Sequence, residues 1–146
     1  MSTRCQIGFY ETEPKTLKDL SNFESLIYRH SDGYPGTEDG KEYGVLADIV
    51  PFLQFFENNR GIDDIEYCSA RLLQYLCNLY DKHGYDSPFI KENDTKPLTG
   101  ILGHGICKDF HGDIEYYYAV FPSGVAVYKT TTEKWQKIKT IPIVKS

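Results

Sequence analysis

Nine consecutive residues, Tyr28-Arg29-His30-Ser31-Asp32-Gly33-Tyr34-Pro35-Gly36, bring together a guanidinium, an imidazole, a hydroxyl, a carboxylate and two phenols. Polar groups carried to the end of a strand and released into a glycine-permitted turn are a common way to build binding and catalytic sites. His30 and Asp32 are two apart, so a strand running through both puts them on one face, where the carboxylate can orient or charge the imidazole for acid–base work. Arg29 then points the other way. The same residues can instead be spent locally, with Asp32-Gly33 and Tyr34-Pro35-Gly36 forming consecutive turns and Asp32 bonding backbone amides.

A second constellation is His104, Cys107 and His111, with Asp109 and Asp113 nearby. These are ligand types that zinc accepts, but residues three apart on a strand face opposite ways, so His104 and Cys107 should diverge and no metal is expected. His104 lies between Gly103 and Gly105, which lets a ligand or another backbone come close, so it joins His30 and Asp32 as a catalytic candidate. The acidic loop of Asp32, Glu38, Asp39 and Glu42 lacks the spacing of a calcium loop, and Gly36, Gly40 and Gly44 lack the lysine of a phosphate loop. Tyr116-Tyr117-Tyr118 on a strand sends aromatics to both faces, and Tyr117 is expected to meet a ligand. Ser2 is an N-terminal hydroxyl only if Met1 is removed. Neither a nucleophile elbow nor a His-Glu-x-x-His zinc motif is present.

The opening Met1-Ser2-Thr3-Arg4, followed by Leu26-Ile27-Tyr28-Arg29-His30-Ser31-Asp32-Gly33-Tyr34-Pro35, resembles a group of small phage and bacterial proteins. These begin Met-Ser/Gly-Thr-Arg and carry a Y-R-H-x-D-G-Y-P box before a helix. The likeness covers about the first third of the chain and brings no reaction with it. Many members continue with a glycine-rich stretch after the proline, where this chain has the acidic Thr37 to Glu42. The resemblance implies a viral or mobile-element origin, a setting in which small acidic proteins act as inhibitors or sequester host signals.

The elements that must position these residues follow from periodicity. Arg4 to Glu11 and Glu24 to His30 read as two strands, joined by a long polar connection over Thr12 to Phe23 with room for a helical turn. Leu46, Ile49, Val50, Leu53 and Phe56 recur at helical spacing, predicting a helix from Tyr43 to Asn58 that Pro51 either kinks or shortens to a start near Asp48. Asn58-Asn59-Arg60-Gly61 ends it. Ile65, Cys68, Leu72, Tyr75, Leu76 and Leu79 form the stripe of a second helix from Asp63 to Lys82, and the short link makes the two an antiparallel pair. His83 to Thr99 reads as a loop. Gly100 to Lys108, Asp113 to Phe121 and Val125 to Thr130 then read as a three-strand meander, with Trp135 to Ile143 as a last edge strand limited by Pro142.

A chain of 146 residues fits one domain with its own core. The expected class is therefore α+β, an antiparallel sheet of five or six strands covered by a helix pair. Net charge is −5, and it is uneven: residues 1–96 carry 17 acidic and 10 basic side chains, residues 97–146 carry 4 and 6. That balance excludes a duplex nucleic-acid surface but leaves room for a small anion over the C-terminal sheet. The 12 Tyr against a single Trp favour half-buried, binding-type surfaces. Four scattered Cys, no apolar leader and no long apolar run point to free thiols in a cytoplasmic protein away from membranes. Self-association is compatible with all of this.

Together these features point to a small ligand-binding protein without a cofactor. Arg29, His30, Ser31, Asp32 and Tyr34, with Tyr117, are expected to hold a small polar or anionic ligand such as a nucleotide or nucleotide-derived signal. The alternatives are a hydrolase or phosphodiesterase using His30 and Asp32 with His104, and an acidic inhibitor of a host protein.

Overall fold

A computed structural model of the chain describes residues 3–82 and 103–146. The expected loop from His83 to Thr99, the first residues of the strand expected from Gly100, and Ser2 lie outside the described residues. The elements run β1 (Cys5–Phe9), a 3-10 turn (Lys18–Asn22), β2 (Ser25–Arg29), α1 (Val45–Asn59), α2 (Ile65–Lys82), β3 (His104–Ile106), β4 (Tyr116–Phe121), β5 (Gly124–Lys129) and β6 (Gln136–Pro142). Among the described residues this is an α+β arrangement around one six-stranded sheet, ordered β3-β2-β1-β4-β5-β6.

The sheet is mixed, contrary to the expected all-antiparallel one. β1 pairs antiparallel with β2 but parallel with β4, matching Cys5 to Tyr116 and Phe9 to Val120. Only β4, β5 and β6 form the meander; β3 leaves it and pairs with the far side of β2. The connection from Cys107 to Glu115 must therefore pass over β2 and β1 to reach β4. Nine residues reach at most about 30 Å, enough to cross three strand spacings of about 4.8 Å. It is tied down on the way, because the Cys107 amide donates to the Leu26 carbonyl, the Glu115 amide to the Arg4 carbonyl, and Gln6 bridges the Asp109 carbonyl and the His111 amide.

Both faces of β1, β2, β4 and β5 are consequently largely buried, while β6 is exposed along most of its length. Cys5, Ile7, Phe9, Ile27, Tyr118, Val120, Val125 and Val127 share one apolar cluster with Leu46, Ile49 and Leu53 of α1 and Cys68, Leu72 and Leu76 of α2. Each fully buried aliphatic of this kind contributes about 1.5–3 kcal/mol. The opposite face carries Tyr10, Leu26, Tyr117, Ala119 and Tyr128, covered by Leu20 of the 3-10 turn, Phe110 of the crossing connection and Trp135.

α1 starts at Val45 and carries Pro51 on its exposed side, so the missing amide falls where the helix faces water. Its end is closed by the Arg60 and Gly61 amides, both donating to the Phe56 carbonyl, with Gly61 at a φ of 110°. No helix among the described residues is long and apolar enough to cross a membrane.

Candidate functional site

β2 stops at Arg29, and that stop organises the polar box. Pairing of Cys5 with Arg29 puts the guanidinium on the helix-covered face. Arg29 is fully buried, and its Nη2 lies 2.8 Å from Oδ2 of Asp48 in the first turn of α1, itself nearly buried. The Tyr43 hydroxyl donates to the same carboxylate oxygen at 3.1 Å and accepts from Arg29 Nη2 at 3.3 Å. Arg29 Nε donates to the Ser31 carbonyl. At the rim, the Tyr34 hydroxyl donates to Asp32 Oδ1 at 3.3 Å, and its ring meets Tyr43 edge-on at 6.5 Å between centroids. Tyr34 and Tyr43 are 37% and 47% exposed, so both phenols are open to solvent above a closed ion pair. Desolvation lifts both phenols above their usual range. Asp32 adds to the rise at Tyr34, whereas at Tyr43 the Arg29 charge opposes it and Asp48 adds to it. Both hydroxyls therefore keep their protons near neutrality.

The backbone of the box is also a cap for α1. The Val45 and Leu46 amides donate to the Tyr34 and Pro35 carbonyls, which consumes two of the helix's otherwise orphaned donors. Gly33 is wedged against the N-terminal strand: its amide donates to the Thr3 carbonyl, and a Cβ there would lie within 2.9 Å of Thr3, Arg4 and Cys5 atoms. The buried Tyr118 hydroxyl donates to the Gly33 carbonyl at 2.5 Å.

His30 and Asp32 do not share a face, as a continued strand would require. Asp32 takes a φ of 57°, breaking the alternation, and His30 is exposed. The His30 ring sits 6.4 Å from Tyr28, which stacks on His111 at 4.6 Å and reaches Asp113 through its hydroxyl. His30 thus belongs with the opposite surface of the sheet. Ser31 contributes its backbone carbonyl. Tyr117, expected at a ligand, is instead fully buried, because the crossing connection covers the face assumed to be open; its hydroxyl bonds that of Tyr10.

His104 pairs with Arg29 across β2 and β3 and so lies on the helix-covered face, away from His30. Burial, and secondly the Arg29 charge, push its imidazole down from 6.5 to about 3. A base whose folded pKa is depressed binds fewer protons folded than unfolded between those two values, so its stabilising effect is full above pH 6.5 and is lost as pH falls toward 3. Urea midpoints measured across that window should fall with acid in the wild type and fall less steeply in His104→Gln. Cys5, beside Arg29, has its thiol pushed up to about 12 by burial, against the Arg29 charge, and is no nucleophile. Among the described residues no group of His, Cys, Asp and Glu is set to hold a metal.

The cluster joins Arg29, Asp32 and Tyr34 of the sequence box to Tyr43 and Asp48, which the sequence did not mark as site residues. Asp48 stands in the first turn of a helix, where an acid is ordinarily explained by the helix dipole, so nothing in its position marks it as a buried partner.

The class defined by this arrangement is a small α+β domain with a buried cation–carboxylate–phenol cluster at the junction of a strand end and a helix start. No protein-family model matches the chain, and no curated protein or solved structure matches it either.

Proposed function

We propose that the protein is a small-molecule-binding protein and that the box takes a small polar ligand at the rim formed by Tyr34 and Tyr43. The carrying observation is that two half-exposed phenols and the Asp32 carboxylate stand over an Arg29–Asp48 pair that is already closed. Because Asp48 neutralises Arg29, Lys139 pairs with Glu38, and Asp32, Asp39 and Glu42 outnumber Lys41, the local field disfavours a phosphate and favours a neutral or cationic hydrogen-bonding group. The base or sugar of a nucleotide-derived ligand has that chemistry. The hydrolase alternative draws no support from His30, Asp32 and His104, since His30 is exposed, Asp32 bonds Tyr34, and His104 is on the other face.

Calorimetry of the full chain against a panel of nucleosides and nucleotides tests this reading. Binding is expected to weaken about tenfold in Tyr43→Phe, the loss of one hydrogen bond that the ligand donates to the phenol oxygen, and to be unchanged in His30→Ala. Absence of heat with every member of the panel would overturn it, and consumption of a ligand that stops in His30→Ala would favour the hydrolase.

A further inference from the structure

On the sheet face opposite the helices, a hollow of about 520 Å³ opens between the loop at Lys15–Leu17 and the hairpin joining β5 to β6. Its floor is Tyr128, its walls include Leu17 and Trp135, and its margin carries Lys15, Lys134 and Lys137. We propose that this hollow binds a planar aromatic ring bearing an anionic group, of the chemical class of a nucleoside monophosphate. The site is independent of the tyrosine rim and differs from it in sign.

Three observations carry the assignment. The first is charge: in a chain of net charge −5, the lining of this hollow among the described residues includes three lysines and no carboxylate. Glu13 holds Lys15 at 3.2 Å, so the free field comes from Lys134 and Lys137. The adjoining hollow, beyond Lys15, is lined by Glu11, Glu13, Asp19 and Glu24, and Glu13 and Asp19 also act on Tyr128, so an anion in this hollow is held on the side of Lys134 and Lys137. The second is the aromatic wall. Trp135 packs its ring on Phe110 at 5.1 Å and on Tyr117 at 5.2 Å, which fixes its orientation while part of it remains exposed to the hollow. The held, half-buried indole beside the 44% exposed Leu17 is a stacking surface for a base, while Tyr128, 2% exposed, only closes the hollow beneath it.

The third observation is that both walls are preformed. Asp19 Oδ2 accepts from the Lys15 and Thr16 amides at 2.9 and 3.1 Å, and Thr16 Oγ1 accepts from the Asp19 amide, so the loop is a closed turn. Across the hollow, the Thr132 hydroxyl donates to the Lys134 carbonyl and the Thr130 hydroxyl to the Ile114 carbonyl. A ligand entering preformed walls loses little to ordering them.

Trp135 is the chain's single tryptophan, so its emission reports this hollow alone. Adenosine 5′-monophosphate, adenosine, ribose 5-phosphate and inorganic phosphate are titrated separately into the full chain while tryptophan emission is followed. A saturable change is expected with the monophosphate, a weaker one with adenosine, and none with the two phosphates that lack an aromatic ring. The double variant K134E/K137E should weaken the monophosphate about tenfold or more while melting as the wild type does, because both lysines are exposed. Tyr43→Phe should leave this titration unchanged, which separates failure at this site from failure at the rim. The proposal is overturned by the absence of a saturable emission change with the monophosphate, by adenosine binding as tightly as the monophosphate, or by equal affinity in K134E/K137E.

Discussion

Asp48→Ala is expected to lower folding stability by roughly 3–5 kcal/mol, the cost of removing one partner of a buried ion pair. Arg29 has no exposed surface, and its Nη2 is held by Asp48 at 2.8 Å, so the guanidinium cannot recover hydration by a simple rotamer change. Tyr43 would remain within reach, but a phenol supplies a dipole where a full charge stood. Urea denaturation of the variant measures the loss through its midpoint at unchanged slope. The double variant Arg29→Met, Asp48→Leu should recover most of it, because an apolar pair of similar volume fits the same cluster without desolvating ions. A single Asp48→Ala variant as stable as the wild type would show that the guanidinium finds another partner.

Gly44→Ala is the second large effect, at about 2–3 kcal/mol, and it acts through space alone. Gly44 has an extended φ of 166°, which any residue adopts. A Cβ there, however, would lie 2.4 Å from the Gly36 amide nitrogen and 2.5–2.6 Å from the Pro35 carbonyl. Every one of these atoms is backbone, so nothing can swing aside, and the loop from Gly36 to Gly44 must part from the start of α1. That motion breaks the bonds from Val45 and Leu46 to the Tyr34 and Pro35 carbonyls and carries Tyr43 away from Arg29. Gly40 is the control. It has a φ of 80° but open space around its position, so Gly40→Ala should cost only about 1–2 kcal/mol, from backbone conformation alone. The two variants compared by thermal melting, together with ligand titration at the tyrosine rim, separate the close approach from ordinary glycine strain.

Where periodicity is unambiguous the elements were legible. The stripe of Leu46, Ile49, Leu53 and Phe56 and that of Cys68, Leu72 and Leu76 mark two helices, and the starts of α1 and α2 fall within two residues of where these stripes put them. β4 and β5 were equally readable. What the sequence hid is the second covered face. Gln6 and Tyr117 are polar or amphipathic side chains on strands, the ordinary sign of an outward face, yet both are fully buried. Gln6 is satisfied by backbone groups of a connection that a local reading has no means of routing over it. The parallel pairing escaped for the same reason, since strand alternation encodes which residues are buried and not which neighbour lies alongside. Within the box, Arg29 was correctly set apart from His30, while the supposed His30–Asp32 partnership failed at one dihedral, the positive φ of Asp32, which the following glycine hints at only weakly.

Placing β1 at the middle of the sheet sets an order of events during synthesis. The strand leaves the ribosome ahead of the other strands of its sheet, and β2 can zip onto one of its sides early. Its other side waits for Tyr116 to Phe121, after more than one hundred further residues have been made. Throughout that interval the nascent chain presents an unpaired apolar ladder, Cys5 to Phe9, of the kind that chaperones capture and that neighbouring polysomal chains can seize. Yield in a cell is therefore governed by how fast β4 arrives as much as by how firmly the finished molecule holds together.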